Sequence, residues 1–211
     1  DQIDRDNIPR LEQAWVYRSG VGGIFKATPL QVGDALYLCT GQNVVIALDA
    51  ETGAERWRHD PQIDTPKFAF WDTCRGVTYY DARASQSPPA ACPERIYTAT
   101  TDARLIALDA RSGKRCEDFG EDGQISLLPG MGEVKPGFYY VTSPPTMARD
   151  TLVLGGWVAD NQETGEPSGV VRGFDPVTGA LRWAWDLGNE ARSELPPTGE
   201  TYTRGTPNVW S

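Results

Sequence analysis

Histidine is almost missing from this chain of 211 residues: His59 is the only one. No C-x-x-C pair occurs among Cys39, Cys74, Cys92 and Cys116, so the ligands of a structural zinc site are lacking. No apolar run approaches the roughly 20 residues that cross a bilayer as a helix. The opening stretch DQIDRDNIPRLEQAW has no basic-then-apolar order, so any targeting segment is expected to have been removed or to lie outside this chain. Positive charge is also short, with 20 Lys and Arg against 29 Asp and Glu. The resulting net charge of -9 repels phosphate backbones and anionic lipid, which argues against nucleic-acid or membrane-surface binding through charge. Helical periodicity is not sustained over any stretch of about a dozen residues, and the chain reads as all-β.

What is present is a repeated phrase. ALDAETGAERW (47–57), ALDARSGKRCEDF (107–119) and GFDPVTGALRW (173–183) share one pattern, and Asp49, Asp109 and Asp175 stand 60 and 66 residues apart. Each copy reads as an alternating strand that ends at the Asp, a tight D-x-x-[TS]-G turn, and a second strand carrying an aromatic. Gly53, Gly113 and Gly179 suit the positive φ of such turns, while the Asp and the Ser or Thr bond the turn's own backbone. Thr28-Pro29, Thr142-Ser143-Pro144-Pro145 and Thr206-Pro207 mark a second recurring phrase. A hairpin at a fixed place in each unit favours four-stranded propeller blades over a sandwich. The spacing exceeds the roughly 40–50 residues of a compact blade, and inserted loops account for the excess. About three blades are expected, near 21–60, 71–119 and 138–186, with another starting near 203. Trp15-Val16-Tyr17 reads as an outer strand of a preceding blade. Three blades leave open edges that a closed ring would not, so the natural polypeptide is expected to be longer.

The cysteines suggest disulfides. Cys74 and Cys92 flank SQSPPAA, an exposed-looking loop, and a Cys74–Cys92 bridge would contribute about 3 kcal/mol in the chain-entropy account. That pairing implies an oxidising compartment; the alternative is four reduced, buried small hydrophobes.

Four further phrases carry a resemblance: DTCRGVTYYD (72–81), VKPGFYYVTSPP (134–145), ADNQETGEPSGVVRGFD (159–175) and TPNVW (206–210). Together they resemble the membrane-bound dehydrogenases of the glucose and quinate type that depend on pyrroloquinoline quinone (PQQ). The likeness covers nearly the whole chain and corresponds to the first part of that family's eight-bladed propeller. It implies a periplasmic location at the inner membrane, with the membrane anchor outside this chain. It also implies oxidation of a sugar, polyol or cyclic hydroxy acid by hydride transfer to PQQ, with electrons passing on to ubiquinone.

PQQ is a planar tricarboxylated quinone, so its pocket needs cations, a flat aromatic and a hard metal ion. By resemblance Arg75 pairs with a carboxylate of the cofactor, Thr142 and Ser143 bond its oxygens, and Trp210 stacks on its ring. Asp160 and Asn161 match the family's metal-binding pair, whose oxygen ligands suit Ca²⁺ or Mg²⁺. The bland readings are a surface ion pair for Arg75, a turn for Asp160 and Asn161, and packing for the tryptophans, as expected for Trp57 and Trp183. The family's catalytic carboxylate comes from later blades, so no catalytic residue is assigned here and residues 1–211 alone are expected to be inactive.

Two departures bear on specificity. Trp71, followed by Asp72, stands where the family commonly has a His before its Thr-Cys-Arg-Gly, so glucose is not specified as the substrate. Trp157 takes a place where the family tends to have a small or hydroxyl residue lining the cofactor. The alcohol dehydrogenase branch is usually marked by adjacent cysteines, and none occur here; nor does a haem-attaching C-x-x-C-H. The rival reading is a non-catalytic envelope scaffold with PQQ-like repeats. Such a scaffold needs the hairpins but has no reason to carry Arg75, Asp160 and Trp210.

Overall fold

The computed structural model describes residues 3–63, 73–85, 91–159, 161–162 and 164–204. Three four-stranded antiparallel sheets follow one another along the chain, each a simple meander. The first contains β1 (Leu30–Val32), β2 (Ala35–Cys39), β3 (Val45–Asp49) and β4 (Glu55–His59); the second contains β5 (Thr78–Asp81), β6 (Glu94–Ala99), β7 (Arg104–Asp109) and β8 (Gln124–Ser126). A two-stranded ribbon pairs β9 (Tyr139–Tyr140) with β12 (Trp157–Val158), and the third sheet has the order β10 (Thr146–Ala148), β11 (Thr151–Leu154), β13 (Val171–Phe174), β14 (Leu181–Trp185). Trp15-Val16-Tyr17, read from the sequence as an outer strand of a preceding blade, forms no strand among the described residues; Trp15 and Tyr17 pack against the cluster of Leu38, Val44, Ile46 and Leu48.

The D-x-x-[TS]-G phrase makes the same turn three times. Asp49 Oδ1 accepts from the backbone N–H of Glu51 and Thr52, Asp109 Oδ1 from Arg111 and Ser112, and Asp175 Oδ1 from Val177 and Thr178. The glycine that closes each turn has φ of 72°, 68° and 75°. Arg56 bridges Asp49 to Asp34, and its guanidinium holds the Asp49 carboxyl well below the usual carboxylate range.

Period-two patterning decides how the sheets stack. In the second sheet Ile96, Ile106 and Leu108 face one way and join Cys39, Val45, Ala47 and Trp57 of the first sheet. Tyr97, Leu105 and Ala107 face the other way and join Leu152, Leu154 and Phe174 of the third. Both faces of the central sheet are therefore buried. Polar contacts key the stack as well, through the carbonyl that follows each turn Asp. Ala110 O accepts from both Trp57 Nε1 and Tyr37 Oη at 3.0 Å, Ala50 O accepts from Trp15 Nε1 at 3.3 Å, and Pro176 O accepts from Tyr97 Oη. The Trp57 ring lies so close over Gly113 that a Cβ there would come within 2.4 Å of it.

The disulfides are Cys39–Cys74 and Cys92–Cys116, not the Cys74–Cys92 bridge expected from the loop between them. Topology gives the reason. Cys74 leads into β5 and Cys92 into β6, and since β5 and β6 are antiparallel these two entries lie at opposite ends of the sheet. Cys39, at the end of β2, meets Cys74 with a Cα separation of 5.9 Å, and Cys116, past β7, meets Cys92 at 5.7 Å. Both fall within the span a disulfide bridges without backbone movement.

Candidate functional site

Because each sheet is a meander, the connections sort to two ends. The tight turns of the repeated phrase lie at one end. At the other lie the entries to β1, β5 and β10, together with the β2–β3, β6–β7 and β11–β13 connections.

That second end is tied together by backbone. Thr28 N–H donates to Arg75 O at 2.9 Å, and Arg75 N–H donates to Thr142 O at 2.9 Å, so the entries to the first strands of all three sheets are joined in sequence. Asn43, at φ 56° in the β2–β3 connection, is fully buried. Its Nδ2 donates to Ala99 O at 3.1 Å, and its Oδ1 accepts from Thr101 N at 3.2 Å, locking the first sheet's connection to the second's. The Cys39–Cys74 disulfide adds a covalent tie one residue before Arg75.

Two clefts open here. Arg75, Lys26, Thr28, Pro29, Leu30, Gly76, Val77 and Pro144 surround one of about 560 Å³. Thr142, Ser143, Pro144, Thr146, Gly155 and Trp157 line another of about 120 Å³, closed behind by Val141, Val153, Leu154 and Val171. Pro144 is common to both. Thus Arg75, Thr142 and Ser143, chosen from the sequence, sit around one shared wall.

Trp157 takes part in the second cleft and stacks on Tyr140 with ring centroids 4.6 Å apart. Its position follows from the ribbon register, Trp157 opposite Tyr140 and Val158 opposite Tyr139. Gly156 is where only glycine fits, since a Cβ would meet the Tyr139 ring at 2.1 Å. Asn161 follows on the same long β11–β13 connection, exposed and with φ 58°. Its carboxamide oxygen is a ligand type that a hard cation accepts. Among the described residues no group of three or more His, Cys, Asp or Glu is placed to hold a metal ion. Asp160, Trp210, Trp71 and Asp72 lie outside the described residues. His59 is half-buried at the end of β4, and burial together with nearby Arg115 pushes its pKa down.

Two side chains at this end escaped the sequence reading. Lys26 shares the cleft of Arg75, and its only sequence signal was its place just before Thr28-Pro29. Arg172, inside the S-G-V-x-R-G-F-D phrase, is buried beneath the face. Its Nη2 donates to Leu127 O at 2.7 Å and Tyr139 Oη at 2.9 Å, and the rings of Tyr139, Phe174 and Tyr202 surround the guanidinium at 5.9, 5.8 and 6.0 Å.

Chemically, this end offers a cationic cleft for carboxylates beside a hydroxyl-bearing one floored by an aromatic. The family described as "PQQ: Glucose/ethanol/alcohol dehydrogenase, beta-propeller domain" matches residues 1–211. The quinoprotein glucose dehydrogenase of Escherichia coli is 43% identical over all of this chain and 28% of its own length. The quinate/shikimate dehydrogenase (quinone) of Acinetobacter baylyi is 40% identical, again over all of this chain and 28% of its own length. Among solved structures, the quinohemoprotein alcohol dehydrogenase from Comamonas testosteroni superposes with a TM-score of 0.70 at 28% identity, over 88% of this chain and 24% of that one. The chain therefore spans less than a third of the length of these relatives.

Proposed function

This chain belongs to the β-propeller domain family of the PQQ-dependent glucose, ethanol and alcohol dehydrogenases, and from that premise we propose that its sheets are blades of a larger propeller that holds PQQ at the Arg75 end. The blades run near 21–60, 71–119 and 138–186, with the next starting near 203. The reaction is oxidation of an alcohol carbon in a sugar, polyol or cyclic hydroxy acid. The relatives named above, a glucose dehydrogenase and a quinate/shikimate dehydrogenase, support that range.

The observation that carries the proposal is the convergence of Arg75, Thr142 and Ser143 around Pro144. When bound, PQQ supplies the electron-accepting quinone. The chain's own residues bind and orient it. Arg75, fixed through both its backbone N–H and its carbonyl, presents a guanidinium fork suited to a carboxylate. Thr142 and Ser143 offer hydroxyls, and Trp210 an indole for stacking. The aliphatic back of the smaller cleft, from Val141 to Val171, keeps water from that side and strengthens polar contacts to the ligand. Asp160 and Asn161 are the residues to which we assign a Ca²⁺ or Mg²⁺ ion. The proton-accepting carboxylate is supplied by other blades, so residues 1–211 alone are inactive.

Two disulfides favour an oxidising compartment, which supports the periplasmic face of the inner membrane. None of the helices among the described residues is long and apolar enough to cross a membrane. Ubiquinone is the proposed acceptor, in keeping with the word "quinone" in a relative's name.

The test is PQQ binding, with Ca²⁺ present, by the full-length protein and its Asp160→Ala and Trp210→Ala variants. Binding weakened by both changes supports the reading. A folded full-length protein that does not bind PQQ leaves the scaffold alternative standing.

A further inference from the structure

Pro144 stands between the two clefts, on a segment, 142–145, that joins β9 to β10 and belongs to neither strand. Pro144 and Pro145 have no backbone N–H, so half of this segment has no donor with which to join a ladder of strand hydrogen bonds. The segment is held from outside instead. Arg75 N–H donates to Thr142 O at 2.9 Å, and the Thr78 hydroxyl donates to Pro145 O. With donors at 75 and 78 and acceptors at 142 and 145, the two segments run side by side in the same direction, fastened at both ends. Between the two bonds, the Pro144 ring lies against Gly76, where a Cβ would meet it at 3.5 Å.

The two fastenings differ in kind. The bond from Arg75 is made by backbone, whereas the bond from Thr78 is made by a side chain and therefore depends on which residue stands there. Thr78 opens β5, at one edge of its sheet, and pairs across the ladder with Tyr97 of β6. Its backbone is thus fixed, and its branched side chain is stiff about χ1, so the direction of the hydroxyl is set before Pro145 arrives.

We propose that Thr78 is a positioning residue for the cofactor end: through Pro145 it fixes how Pro144 stands between the clefts, and with it where the hydroxyls of Thr142 and Ser143 lie relative to Arg75. The inference rests on the PQQ reading above and adds to it a residue that touches no ligand, since Thr78 is not among the described residues lining either cleft. Hydrogen bonds weaken steeply as distance and angle depart from the best geometry, so a wall free to shift at one end binds less well even with all its hydroxyls present.

Three variants of the full-length protein test this. Thr78→Val keeps the branched shape and removes the donor, and Thr78→Ser keeps the donor. Ser112→Ala removes a hydroxyl that donates to Asp109 in a turn at the opposite end, and serves as the control. PQQ is titrated with Ca²⁺ present, thermal midpoints are recorded, and amide hydrogen exchange at Arg75 is followed without PQQ. The expected result is about tenfold weaker PQQ binding and faster Arg75 exchange in Thr78→Val, near wild-type values in Thr78→Ser, and wild-type affinity in Ser112→Ala whatever its midpoint. Wild-type PQQ affinity or unchanged Arg75 exchange in Thr78→Val would overturn the positioning role. So would a loss of affinity that Thr78→Ser does not restore or that Ser112→Ala reproduces. If wild type binds no PQQ, the cofactor reading fails on its own, and exchange alone decides: faster exchange at Arg75 confined to Thr78→Val sustains the positioning of the wall, and any other pattern ends it.

Discussion

Arg172 donates from Nη2 to the hydroxyl of Tyr139 at 2.9 Å, and it does so from inside the protein, with only 2% of the arginine exposed. The same guanidinium reaches Leu127 O and lies against Tyr202, whose backbone N–H donates to Gly130 O. Segments around residues 127–131, 139 and 202 therefore share one buried cation. Arg172→Lys keeps the charge but loses the fork, and is expected to lower unfolding stability by about 2–3 kcal/mol. Tyr139→Phe removes one acceptor and should cost about 1 kcal/mol. Denaturant melts of the full-length protein give both values; equal losses in the two variants would show that the other partners of Arg172 contribute nothing.

Gly113 has φ 68° and the Trp57 ring above it, whereas Gly33 has φ 59° and nothing within 4 Å of a built Cβ. Alanine at Gly33 meets only the backbone penalty, about 1 kcal/mol. Alanine at Gly113 meets that penalty and the indole, adding about 1–3 kcal/mol of overpacking. The difference between the two melts isolates the inter-sheet contact.

The Cys39–Cys74 bridge joins residues 35 positions apart and contributes about 3–4 kcal/mol by loop closure. Cys39→Ser with Cys74→Ser should lose that much stability. It should also weaken PQQ binding through release of the neighbouring Arg75, while the Cys92→Ser, Cys116→Ser pair, at the far end of the sheet, lowers stability with little effect on binding. Equal effects of the two pairs on PQQ affinity would contradict this division.

His59 supplies a pH dependence. Burial first, then the nearby positive charge of Arg115, holds its pKa below the ordinary value of 6.5. The unfolded chain thus binds the proton more readily than the folded one. Stability is fully present above the unfolded pKa and declines as pH falls through about 6.5 toward the folded value. The thermal midpoint should drop between about pH 7 and pH 5, and His59→Gln should flatten that part of the curve. An identical slope in the variant would assign the loss to other groups.

The hairpins were legible because everything they need is local. An Asp, a Ser or Thr, and a glycine within five positions supply acceptor, hydroxyl and positive φ, as at Asp109, Ser112 and Gly113. Long-range pairings were not legible. Cys74 lies nearer in sequence to Cys92 than to Cys39, and only the strand directions reveal that the closer partner is at the wrong end. Lys26 went unnoticed for the same reason, since its relation to Arg75 exists only once two sheets stand side by side. Arg75, Thr142 and Ser143 were found through family resemblance rather than through any pattern of their own, and the structure gathers them at one end. Asp160 and Trp210 lie outside the described residues.

The separation of the two ends has a practical consequence. The Gly33–Asp34 turn joins β1 to β2 at the end away from Arg75, and the Asp34 side chain is 86% exposed there. A linker attached at that turn would hold every molecule on a conducting surface with the same pole outward. The Arg75 end would then face the solution, open to small solutes arriving by diffusion.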